Sequence, residues 1–300
     1  AIGSIPTSSS PKKYGVSIDS MLGNVDSNGV LQSPDNTTGD IVFTGVKDLN
    51  PYILAYRFSY NSNLTHGVSF PDLENASGTD CCLYVFCGSY LSYAYLPKLK
   101  TVSGTNAFMY AFSSTNITSL SLPELETVSG VGGLRYLAAN CTYLASISLP
   151  KLKTVSNSYG VAFLVQNTKI TTISFPELET VSATNALASL CSSCVLLETA
   201  SFAKLSNISG STVFTSAFSG CQVITDIYFN ALTTTSFGSY VNQFNNMFNS
   251  GTTGTASTSG NVNVHFPSNL QSTIQGLTGY PLFGGASGRI TLLFDLPSTS

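Results

Sequence analysis

The stretch SLPELETVSG (Ser121–Gly130) returns as SLPKLKTVSN from Ser148 and as SFPELETVSA from Ser174. Upstream it stands as YLPKLKTVSG from Tyr95. The frame holds while the charges invert from copy to copy. An aromatic or aliphatic anchor opens each unit: Phe43, Phe70, Leu96, Leu122, Leu149, Phe175, Phe202 and Phe229. Successive anchors are 27, 26, 26, 27, 26, 27 and 27 residues apart. Such regularity is the mark of a solenoid, whose units bury their apolar faces only by stacking on one another.

Ahead of each anchor the same apolar signature recurs: Ile117, Leu120 and Leu122; Leu144, Ile147 and Leu149; Ile170, Ile173 and Phe175; Ile224, Ile227 and Phe229. The last residues alternate in and out, which predicts a short half-buried strand. The expected fold is therefore a β-rich solenoid, a repeat array with one short parallel strand per coil of 26–27 residues, capped at both ends. LPxLxTVSG then reads as the turn that carries the chain across the bottom of each coil.

Stacking explains the charge inversion. Equivalent residues of successive coils lie about 4.8 Å apart, and identical charges would form a repulsive column. The column reads Asp72/Glu74, Lys98/Lys100, Glu124/Glu126, Lys151/Lys153, Glu177/Glu179, Lys204, so every neighbour is of opposite sign. A slip by one coil would set like charges together, so the pattern also specifies register.

Charged residues make up 9% of the chain, against about 25% in an ordinary domain, and the net charge is -3. Neither nucleic acid nor an anionic membrane finds an electrostatic footprint here. No apolar run is long enough for a membrane-spanning helix, so no membrane insertion is expected. The first residues, AIGSIPTSSSPKK, lack the apolar core of a signal peptide.

Outward strand positions read Gly67/Ser69, Tyr93/Tyr95, Ser119/Ser121, Ser146/Ser148, Thr172/Ser174, Thr199/Ser201 and Asp226/Tyr228. The centre is a carpet of hydroxyls that bond along the stack. Exposed aromatics at the ends suit sugar or protein recognition, so Tyr93, Tyr95, Asp226 and Tyr228 are the candidate ligand-binding residues. The variable returns, with Tyr110, Tyr136 and Tyr159, are the competing surface. His66 and His265 lie near opposite ends, with no nucleophile–base set, phosphate loop or metal cluster legible around either. Carboxylate pairs are expected only in the stacking column. No enzyme activity and no catalytic residue are expected.

The ends read as caps. Residues 1–40 form an N-terminal tail and cap or attachment segment, 41–248 the solenoid, 249–261 a Gly/Ser/Thr loop, and 262–300 a C-terminal cap. Within GNVDSNGVLQSPD, Asn24, Asp26, Asn28 and Asp35 sit at calcium-loop spacing around Gly29. The same residues fit a hairpin turning at Ser27-Asn28-Gly29. Asn at the first ligand position, Asp at the twelfth, and Pro34 favour the hairpin. Calcium is thus the sole cofactor candidate, and no other cofactor or resident metal is expected.

AFSGCQVITDIYF (Ala217–Phe229), with LPELETVS between strands, resembles the BspA-like leucine-rich repeat over about residues 40–275. VHFPSNLQSTIQGLTGY (Val264–Tyr280) is similar to the strand and helix that close such arrays. The resemblance implies an adhesion scaffold on a bacterial or virion surface, hence an extracellular setting. The segment from Ser8 to Gly23 is similar to the N-termini of gut-bacteriophage virion proteins, which would make residues 1–40 a contact to a capsid or tail protein. The expected partner is a host glycan or protein. A purely structural decoration or fibre protein is the alternative.

Under this resemblance Cys141, Cys194 and Cys221 join Ser62, Gly88, Ser114 and Asn167 in a small-residue column eight positions before the anchors. The odd count of seven cysteines and the chain length argue for mostly free, buried thiols; a zinc site on Cys191 and Cys194, a Cys194–Cys221 disulfide, and a bonded pair among Cys81, Cys82 and Cys87 are the competing readings.

Overall fold

In the computed structural model the period becomes a row of parallel strands: β1 (Ile41–Val42), β2 (Gly67–Ser69), β4 (Tyr93–Tyr95), β6 (Ser119–Ser121), β8 (Ser146–Ser148), β10 (Thr172–Ser174), β12 (Thr199–Ser201) and β13 (Asp226–Tyr228). The structure describes residues 41–43, 45–237, 242–248, 261–276 and 290–299. The calcium-loop candidates Asn24, Asp26, Asn28 and Asp35, the tail 1–40 and nearly all of the loop 249–261 lie outside them. Pairing sets Ser119 beside Ser146, Leu120 beside Ile147 and Ser121 beside Ser148, equivalent residue on equivalent residue. Anchors from Phe43 to Phe229 are all buried, in one continuous core.

The expectation of one strand per coil is corrected. LPxLxTVSG contains a second strand of two residues: β3 (Asn75–Ala76), β5 (Thr101–Val102), β7 (Thr127–Val128), β9 (Thr154–Val155) and β11 (Thr180–Val181). These pair in parallel as a second sheet. The Thr127 N–H bonds the Lys100 carbonyl at 3.2 Å, and the Ser129 N–H bonds that of Val102 at 2.9 Å. β-Branched Thr and Val suit this half-buried pleat. Gly130 ends the segment where the coils nearly touch, since a Cβ there would lie 2.1 Å from the Gly104 carbonyl oxygen.

A third face closes each coil with a ribbon of turns. Alternate N–H groups bond three residues back: Met109 to Asn106, Ala111 to Phe108, Ser113 to Tyr110. The others cross to the next coil: Asn106 to Val131, Phe108 to Gly133, Tyr110 to Arg135, Phe112 to Leu137. Both bond series together satisfy the backbone without helix or sheet. Every fourth residue then takes a positive φ, as at Asn106 (50°), Tyr110 (56°) and Ser114 (57°).

The C-terminal end adds β14 (Val262–Pro267), a 3-10 turn, helix α1 (Gln271–Gln275) and β15 (Ile290–Leu296). Phe229, Phe266 and Phe294 stack at 5.5 and 5.9 Å, so the interval of 37 residues after Phe229 still delivers an anchor in register.

The charge column forms, as discrete pairs. Lys98 meets Asp72 at 2.8 Å, Lys100 meets Glu74 at 3.2 Å, Lys151 meets Glu124 at 2.7 Å, Lys153 meets Glu126 at 3.4 Å and Lys204 meets Glu177 at 2.7 Å. Each lysine reaches the coil before it. Among the described residues none bridges to the coil after it, because one ammonium settles on one neighbour. These pairs are half exposed, so they specify register more than they stabilise.

The small-residue column is also corrected. Ser89, Thr115, Cys141, Thr168, Cys194 and Cys221 share it, because the ribbon pairs Ser114 with Asn140 and Ser193 with Gly220. Coils with cysteine carry one extra residue between this column and the anchor, and that shifts the count. Thr115 Oγ1 donates to the Phe112 carbonyl at 2.7 Å, and Cys141 Sγ donates to the same oxygen at 3.0 Å. Thr168 and Cys194 repeat the arrangement on Val165. All seven thiols are buried and none is in a disulfide, which replaces the readings of a Cys194–Cys221 bond and of a bonded pair among Cys81, Cys82 and Cys87. Burial holds the Cys141, Cys191 and Cys221 thiols above their ordinary range, whereas a hydrogen bond from Cys191 lowers that of Cys194. No group of cysteine, histidine or carboxylate among the described residues fits a metal ion.

Candidate functional site

The positive-φ residues of the turn ribbon point outward and stack from coil to coil. Their middle column is aromatic over five coils: Tyr56, Tyr84, Tyr110, Tyr136 and Phe163. Ring centroids are 5.1, 4.5, 4.3 and 4.2 Å apart, with planes within 15° of parallel. Tyr52 and Tyr60 flank the first ring, 62% and 75% exposed, and Tyr56 itself is 57% exposed. Tyr159 lies in the neighbouring column, its hydroxyl accepting from Asn185 Nδ2 at 3.0 Å. Burial, then the neighbouring phenols, push ionisation of Tyr110 far above the ordinary phenol value. The ladder is therefore a neutral strip of ring edges and hydroxyls.

One cation sits in that strip. The Arg135 guanidinium lies 5.2 Å from the Tyr136 ring centre, 4.7 Å from that of Tyr159 and 5.6 Å from that of Phe163. Its Nε is buried without a hydrogen-bond partner.

The sheet face holds the other candidates in two separate patches. Tyr93 and Tyr95 project from β4, 42% and 54% exposed. The Tyr93 ring lies where a side chain on Gly67 would be, with a Cβ there only 2.0 Å from the ring. Asp226 and Tyr228 lie on β13, five strand steps away, about 24 Å at 4.8 Å per step. The four residues do not form one site.

Asp226 and Tyr228 gather instead around His265, which sequence reasoning left without partners. His265 Nε2 is 3.0 Å from Asp226 Oδ1, and Nδ1 is 2.9 Å from Asp295 Oδ2. Asn263 Nδ2 donates to Asp226 Oδ1 at 3.0 Å, and the Tyr228 ring stacks on the imidazole at 4.5 Å. So carboxylates do pair outside the stacking column. Tyr228 is half-buried in this cluster rather than a free aromatic. Burial alone would depress the imidazole, but its hydrogen bonds to Asp226 and Asp295 outweigh it and raise its pKa. When protonated, the ring donates to a carboxylate from each nitrogen and has no lone pair free. Asp295 is 30 residues away in sequence, beyond any local motif. His66, by contrast, lies at the other end of the array, with its Nδ1 3.1 Å from the Thr65 hydroxyl.

No family model matches the chain, and no curated protein matches it. Among solved structures it is similar to a leucine-rich repeat protein from Bacteroides ovatus, at 17% identity and a TM-score of 0.36. The match covers 80% of this chain and 63% of that one, so the chain spans less than two thirds of that protein's length. The register of its own coils makes the chain a parallel β-solenoid with coils of 26–27 residues.

Proposed function

We propose that the protein is a non-enzymatic recognition protein of the BspA-like kind, displayed on a virion or bacterial surface, that binds a host glycan or protein through its turn face. The aromatic strip carries this reading. Exposed tyrosines give large, rigid contact area at small entropic cost. Here the exposed Tyr52, Tyr56 and Tyr60 open one continuous run of stacked, partly exposed rings that continues through Tyr84, Tyr110 and Tyr136 to Phe163. The exposure of Tyr93 and Tyr95 supports a second reading, in which the ligand lies across β4 on the sheet face.

Host-cell binding separates the two. Tyr84→Ala with Tyr110→Ala should weaken binding about tenfold or more, as expected for the central aromatics of an interface. Tyr93→Ala with Tyr95→Ala should leave it within about twofold. The reverse pattern assigns the sheet face. Binding by neither the parent protein nor the variants returns the chain to a purely structural decoration.

A further inference from the structure

We propose that Arg135 is the charge-reading residue of the turn face, so that the ligand is a glycan carrying a carboxylated sugar. This rests on the recognition reading above and names its ligand class. Every lysine in the charge column from Lys98 to Lys204 is paired with a carboxylate of the preceding coil. Arg135 breaks that rule. Among the described residues no carboxylate pairs with it. The inter-coil bonds place it in a column with Leu83, Met109, Ala162 and Ala188, so stacking supplies no reason for a charge there. Three rings hold the guanidinium in place, and Arg135 stays partly exposed.

A guanidinium on aromatic faces keeps its planar fork of donors, which matches a carboxylate with two parallel hydrogen bonds. The Tyr136 and Tyr159 rings that flank it carry hydroxyls suited to sugar hydroxyls, and Asn185 Nδ2 holds that of Tyr159 in place at 3.0 Å. A peptide is a poorer fit, because the ribbon's N–H and carbonyl groups are already committed within and between coils. A single cation also suits one carboxylate. A polyanion would call for a basic stripe, which the described residues of this face do not form.

The test titrates the full chain with sialyllactose, a hexuronate oligosaccharide, their methyl esters, unsubstituted lactose and an acidic peptide. Binding of either free acid over its ester, lost about 10- to 100-fold in Arg135→Met and partly kept in Arg135→Lys, is the expected result. Unchanged thermal unfolding of both variants shows that the loss is not misfolding. If instead the esters and lactose bind as well as the acids and Arg135→Met changes nothing, this inference is overturned while recognition stands. Preference for the acidic peptide also overturns it. If host cells bind the protein through no glycan at all, the ligand class falls and protein recognition remains. Absence of binding to cells and glycans removes both.

Discussion

Tyrosine at positive φ is unusual, because its Cβ crowds the following carbonyl and costs about 1–2 kcal/mol per residue. Tyr56, Tyr84, Tyr110 and Tyr136 all take it, at 52° to 60°. The inter-coil bonds fix the backbone there, and stacking offsets part of the strain. The outer column shows what the backbone prefers when no ring is needed. Gly220 occupies it in one coil and Gly88 in another, where the Tyr60 ring also leaves no room for a Cβ, while Ser114 holds it at 57° with an exposed side chain. Ser114→Gly should therefore stabilise by up to about 1 kcal/mol, relief of strain less the entropy that glycine loses. Ser114→Val should destabilise by at least as much. Urea midpoints at constant slope would measure both.

At the scale of elements, β14 and β15 are joined by a pH-dependent clasp. The folded His265 pKa lies above its ordinary 6.5, so its contribution is complete below that value and lost as pH rises through the raised one. Burial would raise the Asp226 pKa, but hydrogen bonds from His265, Asn263 and Thr225 outweigh it and hold the pKa below the ordinary 3.8. Its contribution is present above 3.8 and lost as pH falls through the depressed value. The clasp is strongest between these limits. Hydrogen exchange of the β14 and β15 amides, corrected for intrinsic rates, should be several-fold faster at pH 9 than at pH 6. His265→Gln should abolish that difference. If the parent chain shows equal protection at both pH values, the clasp carries no strand stability.

Across the whole molecule, stability is a sum over coils and their interfaces, so deletions read the register directly. Removing residues 122–148 sets Lys151 and Lys153 on Lys98 and Lys100. Removing 122–174 sets Glu177 and Glu179 there and restores alternation, though it takes out twice as much chain. At low salt the shorter deletion should melt several degrees below the longer one, and high salt should narrow the gap. A lower melting temperature for the longer deletion at every salt concentration would show that charge does not set register.

The sequence by itself determined the period, the buried anchors, the main strands and the alternating charges. Each of these is a contact between equivalent residues one coil apart, so each is written in the spacing. The Thr-Val strand left a repeated β-branched pair as its trace, which the proline turn before it obscured. Only the tertiary structure decided the turn ribbon, because its positive φ angles follow from inter-coil hydrogen bonds and not from residue type. From that ribbon come the aromatic ladder and the three rings around Arg135. The cluster at His265 was likewise settled in three dimensions, since Asp226 and Asp295 reach one imidazole from strands that only the closed array sets side by side.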